Sequence, residues 1–400
     1  MTVTAPRADR PAIVAIGYDR PDCLQRLLTS IGGGHFPPET PLVISLDQSG
    51  VEAVYDVAAA FDWPHGEKRI IRHAERLGLR AHILACGDLS SQYGGVILFE
   101  DDIVAAPFFY DFVVGAIGAY GQDDRIAGIA LYHYLLNEFD NQDFTPAEDG
   151  SDVYFLKVAA SWGQAWTAAQ WRGFRDWYAS AKDRSISTRD RVPKQLEAWK
   201  PSSWKKYYIK YLTETDCWFV YPRGALSTNT AQPGTHTKRQ VSIYQTPLDL
   251  RPRDWRFVGL DQSLARYDVF YEPDADVLRH VQPALAGQDF DVDLFGAKHD
   301  DALSRPLLLS SRPCRKPLMG FSVVSGAAPE AAIDLGRAGR FFSLGKREDF
   351  GRMTIRRKLA LARAVHRSDH VGRLAFQILK PIQTELLVQK AKRAAGGPRG

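Results

Sequence analysis

Three consecutive acids, Glu100, Asp101 and Asp102, directly follow an apolar run and constrain this chain more than any other feature. The run from Gly95 to Phe99 is short and rich in β-branched and aromatic residues, which is typical of a strand buried on both faces. Open α/β sheets bind ligands at the carboxyl ends of such strands. Adjacent carboxylates repel one another unless a cation lies among them, and their oxygens suit Mg²⁺ or Mn²⁺. The triplet therefore predicts a divalent-metal site, unless Asp101 or Asp102 simply caps a helix beginning near 105–107.

Strands and helices alternate through the first hundred residues. Predicted strands precede the triplet at 12–17, 41–46 and 69–72. After the first strand, leucines recur at helical spacing, and Pro21 suits the first turn of that helix. This alternation predicts an α/β fold with a mostly parallel sheet flanked by helices. Neither GxGxxG nor GxxxxGK[ST] follows the first strand, which argues against a dinucleotide fingerprint and against a P-loop.

The composition is that of a globular protein, with 45% apolar and 24% charged residues over 400 positions. The four cysteines form no CxxC pair, so neither a zinc site nor a disulfide framework is indicated. No run of 18 apolar residues occurs, and the first residues lack the apolar segment of a signal peptide. These observations predict a cytoplasmic location.

Basic charge is concentrated near the C-terminus. Between Arg352 and Arg393 eleven Lys and Arg residues stand against two acids, so that segment carries +9 and the remainder −5. Apolar residues recur there at near-helical spacing, which predicts a basic helical extension at 346–400 after a domain at 1–345. Such a helix can lie on an anionic membrane at the inner face or pack on its own domain, and the sequence leaves both open.

Aromatic residues mark two further segments. Trp162 lies between Ser161 and Gly163 at a strand-to-helix junction and is predicted to stack on a sugar or base ring. Trp171, Phe174 and Trp177 recur at helical spacing and are predicted to be core. Lysines and tyrosines interleave from 204 to 211, in a helix whose lysines face either water or a diphosphate. A nucleic-acid patch has the same appearance, but nucleic acid is not predicted as a partner.

Taken in order, these pieces resemble metal-dependent glycosyltransferases of the GT-A fold, of which N-acetylglucosaminyltransferase I is one. The resemblance also extends to bacterial nucleotide-diphospho-sugar transferase-like proteins, and it covers roughly residues 10–245. Its motifs are Tyr18-Asp19-Arg20-Pro21, Leu46-Asp47, Gly78-Leu79-Arg80-Ala81-His82, Glu100-Asp101-Asp102, Ser161-Trp162-Gly163, Tyr221-Pro222 and Gly234-Thr235-His236.

The resemblance implies an inverting glycosyltransferase that uses Mn²⁺ or Mg²⁺ and a UDP-linked sugar donor. A glycan or lipid-linked acceptor in bacterial surface polysaccharide biosynthesis would receive the hexosyl or N-acetylhexosaminyl group. Asp102 would be the direct metal ligand. The remaining donor-binding residues implied are Arg20 and Asp47 at the base, His82 and Arg80 near the ribose and diphosphate, Glu100 and Asp101 at sugar and ribose hydroxyls, Trp162, and Thr235 or His236 at the phosphates.

One position departs from the family pattern. The family's general base is an Asp that follows a Trp, whereas here Trp204 is followed by Lys205. An inverting displacement needs a base within hydrogen-bond reach of the acceptor hydroxyl. Glu214 and Asp216 are the nearest acids along the chain, and Glu214 is the predicted base. The alternative is that both acids only solvate a helix end.

Two other functions remain open on sequence grounds. A sugar-1-phosphate nucleotidyltransferase uses a related α/β domain, but its glycine-rich signature near the first strand is missing here. A non-catalytic nucleotide-sugar-binding or glycan-binding relative is compatible with Lys205 in the position of the base.

Overall fold

The computed structural model describes residues 10–232, 242–324, 328–365 and 386–389. The chain divides into two compact units, each described here by itself. The first comprises 1–134, 149–183 and 200–263, and the second comprises 135–148, 184–199 and 264–400.

The strands of the first unit are β1 (Ala12–Gly17), β2 (Leu42–Leu46), β3 (Lys68–Arg72), β4 (Gly95–Glu100), β5 (Ile103–Ala105), β6 (Ile126–Ala130), β7 (Val153–Leu156), β8 (Gln164–Thr167), β9 (Trp218–Pro222) and β10 (Ser227–Asn229). Its helices are α1 (Pro21–Gly32), α2 (Glu52–Ala60), α3 (Leu79–Asp88), α4 (Ser90–Tyr93), α5 (Phe109–Tyr120) and α6 (Ala168–Ala181). Helix α7 (Gln195–Ala198) belongs to the second unit, and α8 (Trp204–Glu214) returns to the first.

The large sheet of the first unit has the strand order β7-β9-β6-β8-β4-β1-β2-β3. Neighbours among β1, β2, β3 and β4 are parallel, as are β6 and β9, whereas β8 runs antiparallel to both β4 and β6. The predicted α/β class, with a mostly parallel sheet flanked by helices, is confirmed.

The register of three strands determines where the loops emerge. Gly17 at the end of β1 lies opposite Leu46 at the end of β2. Ile16 lies opposite Glu100 at the end of β4. The segments that follow these strands therefore leave the sheet together at one edge.

Helix α1 shows why the sheet is covered on one face. It begins at Pro21, whose missing N–H is not needed in a first turn. Its buried face carries Leu24, Leu27, Leu28 and Ile31, each with no exposed surface. Burial of such side chains contributes about 1.5–3 kcal/mol each, so the helix is fixed firmly beside the loop at 18–20.

In the second unit the strands are β11 (Arg266–Tyr267), β12 (Phe290–Asp293), β13 (Leu307–Ser310), β14 (Met319–Phe321) and β15 (Phe342–Lys346), and the further helices are α9 (Ala275–Val281), α10 (Pro329–Asp334) and α11 (Ile355–Val365). Strands β12, β13, β15 and β14 form a separate sheet in that order.

The predicted boundary between 345 and 346 falls inside strand β15. Helix α11 contributes Leu361 to the core of the same unit, where it is 3% exposed. Arg357 of α11 donates to the Ser311 carbonyl at 2.8 Å and lies over the Phe341 ring. The first part of the basic segment thus packs on its own unit, and most of the rest lies outside the described residues. Among the described helices, none has the length and apolar character needed to cross a bilayer.

Candidate active site

A cavity of about 300 Å³ opens at the edge where β1, β2 and β4 end. The sequence motifs supply most of its walls, from the loops after these strands and from the start of α3. Its lining residues are Ile16, Gly17, Tyr18, Asp19, Arg20, Asp47, Arg76, Gly78, Leu79, His82, Glu100, Asp101, Asp102, Ser202 and Gln232. The volume is at the lower end of the range for small-molecule sites.

The acid triplet is bound to Arg20 of the opening loop. Arg20 Nε donates to Asp101 Oδ2 at 3.2 Å, and its Nη2 pairs with Asp101 Oδ1. The same Nη2 lies 3.8 Å from Asp102 Oδ2. Asp101 is consequently occupied and its side chain is 9% exposed, whereas the Asp102 side chain is 33% exposed. Asp102 is the carboxylate of this pair that remains accessible from the cavity.

The protonation of the triplet follows from its surroundings. Burial, with the charges of Asp102 and Asp101, raises the pKa of Glu100 to about 8, although the Trp204 side chain donates a hydrogen bond to it. Burial raises the pKa of Asp101 to about 6, with Arg20 opposing the rise. A proton on Glu100 thus relieves the repulsion at neutral pH, and an added cation would favour its release.

The backbone after the triplet excludes the helix-cap interpretation. Residues 103–105 form β5, which pairs with β10 antiparallel. Helix α5 begins later, and its N-cap, Phe108, makes no side-chain capping bond. The amide of Thr230 donates to the Asp102 carbonyl at 2.8 Å. Asp101 and Asp102 are therefore held in the cavity wall by a β-ribbon, and neither caps the helix.

Both carboxylate oxygens of Asp47 accept hydrogen bonds from backbone amides. Its Oδ1 accepts from the amide of Leu77 at 2.7 Å, and its Oδ2 accepts from the amide of Gly78 at 2.9 Å. Gly78 has φ +75°, a conformation that favours glycine, and it immediately precedes α3. Asp47 thereby fixes the loop that carries the start of α3 into the cavity.

His82 lies on α3 and faces Ser45 of β2. Its Nε2 is 2.8 Å from Ser45 Oγ, which is also 3.2 Å from His73 Nε2. Burial lowers the pKa of His82 to about 4, although Asp47 opposes the shift. The imidazole is accordingly neutral at pH 7 and acts as a hydrogen-bonding group there.

Two cations lie where α3 and α8 begin. The Arg80 guanidinium is 5.3 Å from the centre of the Tyr207 ring, and Lys206 Nζ is 5.6 Å from the same centre. Burial, together with the charge of Arg80, lowers the pKa of Lys206. Neither Arg80 nor Lys206 is among the residues that line the cavity, although Arg80 follows the lining residue Leu79 in α3.

The donor set fits a divalent cation held jointly with a ligand. No three His, Cys, Asp or Glu side chains converge as a complete metal cage within the part of the chain that the structure describes. Mg²⁺ commonly takes only one or two protein carboxylates, and substrate phosphates and waters complete its coordination. Asp102, whose carboxylate is accessible beside the carboxyl groups of Glu100 and Asp101, meets that requirement.

Trp162 lies in an aromatic cluster with Tyr132 and Tyr244, at ring-centre distances of 4.6 and 5.3 Å. Gly163, at φ +94°, follows it, and a Cβ there would lie 2.7 Å from Ser227 Oγ. Ser227 Oγ in turn donates to the Trp162 carbonyl. The glycine is therefore needed for the close approach of this segment to β10, and Trp162 is not among the residues that line the cavity.

Lys205 stands where the resemblance predicted an acid. It is 5% exposed, with Nζ 3.0 Å from Tyr134 Oη and 5.4 Å from the centre of the Trp162 ring. Its ammonium is enclosed by aromatic groups and does not supply the carboxylate that the family pattern has there.

The two predicted catalytic acids lie away from the cavity. Trp204 at the start of α8 contacts Glu100, whereas Glu214 is the last residue of that helix, roughly 15 Å along its axis. Glu214 accepts from Trp177 Nε1 at 2.8 Å and lies 3.5 Å from Lys210 Nζ. Asp216 follows the helix and pairs with Lys157.

The other predicted residues are distributed as follows. Arg20, Asp47, His82, Glu100, Asp101 and Asp102 all line one cavity. Thr235 and His236 lie outside the described residues.

Sequence reasoning missed three residues that line the cavity, Arg76, Ser202 and Gln232, and gave no role to Trp204, which donates to Glu100. Gln232 lines the cavity, and Cys23 Sγ of α1 lies 2.8 Å from its Oε1. These two residues are far apart in the chain, and no local pattern links them. Arg76 could have been noted, because it lies two residues before Gly78 of that motif.

No protein-family model matches the chain, and no curated protein matches it. Among solved structures, distant likenesses are found to GT-A-type glycosyltransferases. The mannosyltransferase PcManGT from Pyrobaculum calidifontis, in complex with GDP-Man and Mn²⁺, is 15% identical over 44% of this chain and 49% of that chain, with a TM-score of 0.30. S. aureus TarS 1–349 in complex with UDP is 11% identical over 56% of this chain and 61% of that chain, with a TM-score of 0.36.

GalNAc-T7 with UDP, GalNAc and Mn²⁺ is 13% identical over 53% of this chain and 42% of that chain, with a TM-score of 0.37. The match thus spans less than two thirds of each of these three proteins. Likenesses this distant carry no argument about function. The chain is an α/β protein with an acid-lined cavity at a strand-end edge, and it is similar at a distance to solved nucleotide-sugar-binding structures.

Proposed function

We propose that this chain is a metal-dependent glycosyltransferase that moves a sugar from a UDP-linked donor, with inversion, to a glycan or lipid-linked acceptor. One observation carries the proposal. An acid triplet suited to a divalent cation shares a strand-end cavity with the cationic side chains of Arg20 and Arg76, where a diphosphate would need positive charge. A hexosyl or N-acetylhexosaminyl group and a role in bacterial surface polysaccharide belong to the same proposal.

In this proposal Asp102 would hold the cation, which would supply positive charge to the leaving diphosphate. Arg76, which lines the cavity, and Arg80, at the start of α3, bind phosphate oxygens. Arg20 keeps Asp101 and Asp102 in place and contacts the nucleotide, and Asp47 positions the loop at 77–78. His82, neutral because it is buried, donates or accepts a hydrogen bond at the ribose.

The acceptor's proton needs a base close to the sugar. Glu214 is the candidate from the sequence, but the contacts that it makes hold it at the far end of α8. Glu100 lines the cavity, and a cation bound at Asp102 would favour its ionised form, which is the form that a general base needs. These two observations support Glu100 as a second candidate.

A test of the metal role uses binding alone. Asp102→Asn should weaken UDP binding in Mn²⁺ at least ten-fold by calorimetry, because one ligand oxygen loses its charge. Asp56→Asn, at an exposed position on α2, is the matched control and should bind UDP like the parent. Equal UDP affinity for Asp102→Asn and the parent, with Mn²⁺ present and the melting temperature unchanged, would exclude Asp102 as the ligand.

One observation favours a second function. Lys205 replaces the expected acid and is enclosed by Tyr134 and Trp162, which suits a non-catalytic nucleotide-sugar-binding or glycan-binding relative. Release of free UDP from a panel of UDP-sugars with Mn²⁺ and candidate acceptors distinguishes the two. Tight donor binding without UDP release would favour the binding protein. If release instead requires a lipid-linked acceptor, the basic segment at 352–393 would have a role at an anionic membrane.

A further inference from the structure

The second unit contains a cavity of about 370 Å³ that is separate from the acid-triplet cavity. Helices α9 and α10 each turn one face toward it. Val277, Leu278 and Val281 come from α9 at spacings of one and four, and Glu330, Ala331 and Asp334 come from α10 at the same spacings. These spacings place each set on one side of its helix.

Apolar side chains form most of the wall. Besides the valines and leucine of α9, the lining includes Pro146, Leu264, Pro273 and Ala328. The volume is roughly twice that of a ~150 Å³ apolar cavity able to hold a benzene ring. There is thus room for an organic group of about ten non-hydrogen atoms.

A carboxyl group is held against this apolar surface. Tyr267 Oη accepts from the amide of Ala147 at 2.7 Å and donates to Glu330 Oε1 at 3.0 Å. The hydroxyl is thereby oriented, and it fixes the position of the Glu330 carboxyl in the wall. Burial raises the pKa of Glu330.

The charge of the lining has one sign. Asp143, Glu148, Glu330 and Asp334 contribute to it, whereas no Lys, Arg or His is found among the described lining residues. Asp143 and Glu148 have interactions of their own, so only Glu330 and Asp334 are considered as partners for a ligand. Asp334 is exposed at the end of α10.

A carboxylate against apolar groups is unfavourable unless a proton, hydrogen bonds or a cation compensates it, and an ammonium group can take the place of the proton on Glu330. The same charge repels phosphate and carboxylate ligands, which excludes a sugar nucleotide or a phospholipid headgroup as the occupant. We propose that this cavity is a binding site for a small amphiphilic organic cation, with its ammonium group on Glu330 and its apolar body between α9 and α10. The site is independent of the glycosyltransferase proposal.

Three probes of nearly equal size test the charge requirement on the full chain: 4-phenylbutylammonium, 4-phenylbutanol and 4-phenylbutyrate. At pH 8, calorimetry should show that the ammonium binds at least ten-fold more tightly than the alcohol, and that the carboxylate does not bind. Glu330→Gln should weaken ammonium binding at least ten-fold and leave the alcohol unchanged. Asp276→Asn is the matched control, because Asp276 is an exposed acid on α9 outside the cavity, and it should have no effect.

Ala331→Leu gives a second test by filling the cavity, and it also separates this site from the acid-triplet cavity. It should abolish ammonium binding while the melting temperature stays within a few degrees of the parent. The proposal is overturned if no probe binds, if alcohol and ammonium bind equally, or if Asp276→Asn weakens binding as much as Glu330→Gln. Ammonium binding that persists in a folded Ala331→Leu variant would overturn the proposal as well. This second variant decides the test if Glu330→Gln does not fold.

Discussion

Replacing Glu100 by Gln should change how the stability of the metal-free protein depends on pH. Glu100 has an ordinary pKa of 4.5 when unfolded and about 8 when folded. Because the folded pKa is raised, the folded state binds the proton more tightly, and the stability gained in this way is lost as pH rises from 4.5 to 8. Gln cannot ionise, so Glu100→Gln should not show this loss.

The size of the effect follows from the same shift. Each pKa unit corresponds to about 1.4 kcal/mol, so the whole shift would destabilise the parent by at most about 5 kcal/mol above pH 8. Glu100 is only half-buried, and solvent screening reduces this figure. We therefore expect Glu100→Gln to be more stable than the parent by about 2 kcal/mol at pH 8.5, with a much smaller difference at pH 5.

Urea unfolding at pH 5, 6, 7 and 8.5, in the presence of a chelator, measures this difference directly. Glu67→Gln, at an exposed position in the same unit, should follow the parent at every pH. Mn²⁺ with UDP should reduce the advantage of Glu100→Gln at pH 8.5, because a bound cation favours ionised Glu100. A stability difference between Glu100→Gln and the parent that is the same at all four pH values would refute the reasoning.

Two further predictions concern the backbone and the base. Gly163→Ala should lower stability by about 1–3 kcal/mol, because its φ is +94° and the new Cβ would lie 2.7 Å from Ser227 Oγ. The control Gly118→Ala, in open space on α5, should instead stabilise the protein by about 0.5–1 kcal/mol. Equal thermal unfolding temperatures for the two variants would contradict this expectation. In a UDP-release assay, loss of the base should reduce the rate roughly 10²- to 10⁴-fold with donor affinity retained. Glu100→Gln should show this loss if Glu100 is the base, and Glu214→Gln should show it if Glu214 is the base, while Asp216→Asn should remain near the parent. Mild effects in all three variants would exclude all three acids as the base.

The membership of the acid-triplet cavity could largely be predicted from the sequence. Buried parallel strands appear in a sequence as short apolar runs, and residues that follow them must meet at the carboxyl edge of the sheet. Arg20, Asp47 and Asp102 are found together for that reason. Local pattern was sufficient there, because the periodicity of strands and helices specifies the direction of each segment.

What each polar group does was decided by tertiary contacts. Composition and spacing treat Glu100, Asp101 and Asp102 alike, and only the resemblance assigns them different roles. In the fold Arg20 occupies Asp101, Trp204 donates to Glu100, and Asp102 is left accessible. Charge state and accessibility depend on neighbours that are distant in the chain, and residue spacing does not encode them.

The same reason separates the candidates for the base. Nearness along the chain suggested Glu214, but the rise of a helix carries its last residue about 15 Å from its first. The cavity in the second unit was likewise outside the reach of sequence reasoning. It arises where α9 and α10, about fifty residues apart, face each other, and only the folded chain brings the Glu330 carboxyl and the Tyr267 hydroxyl together.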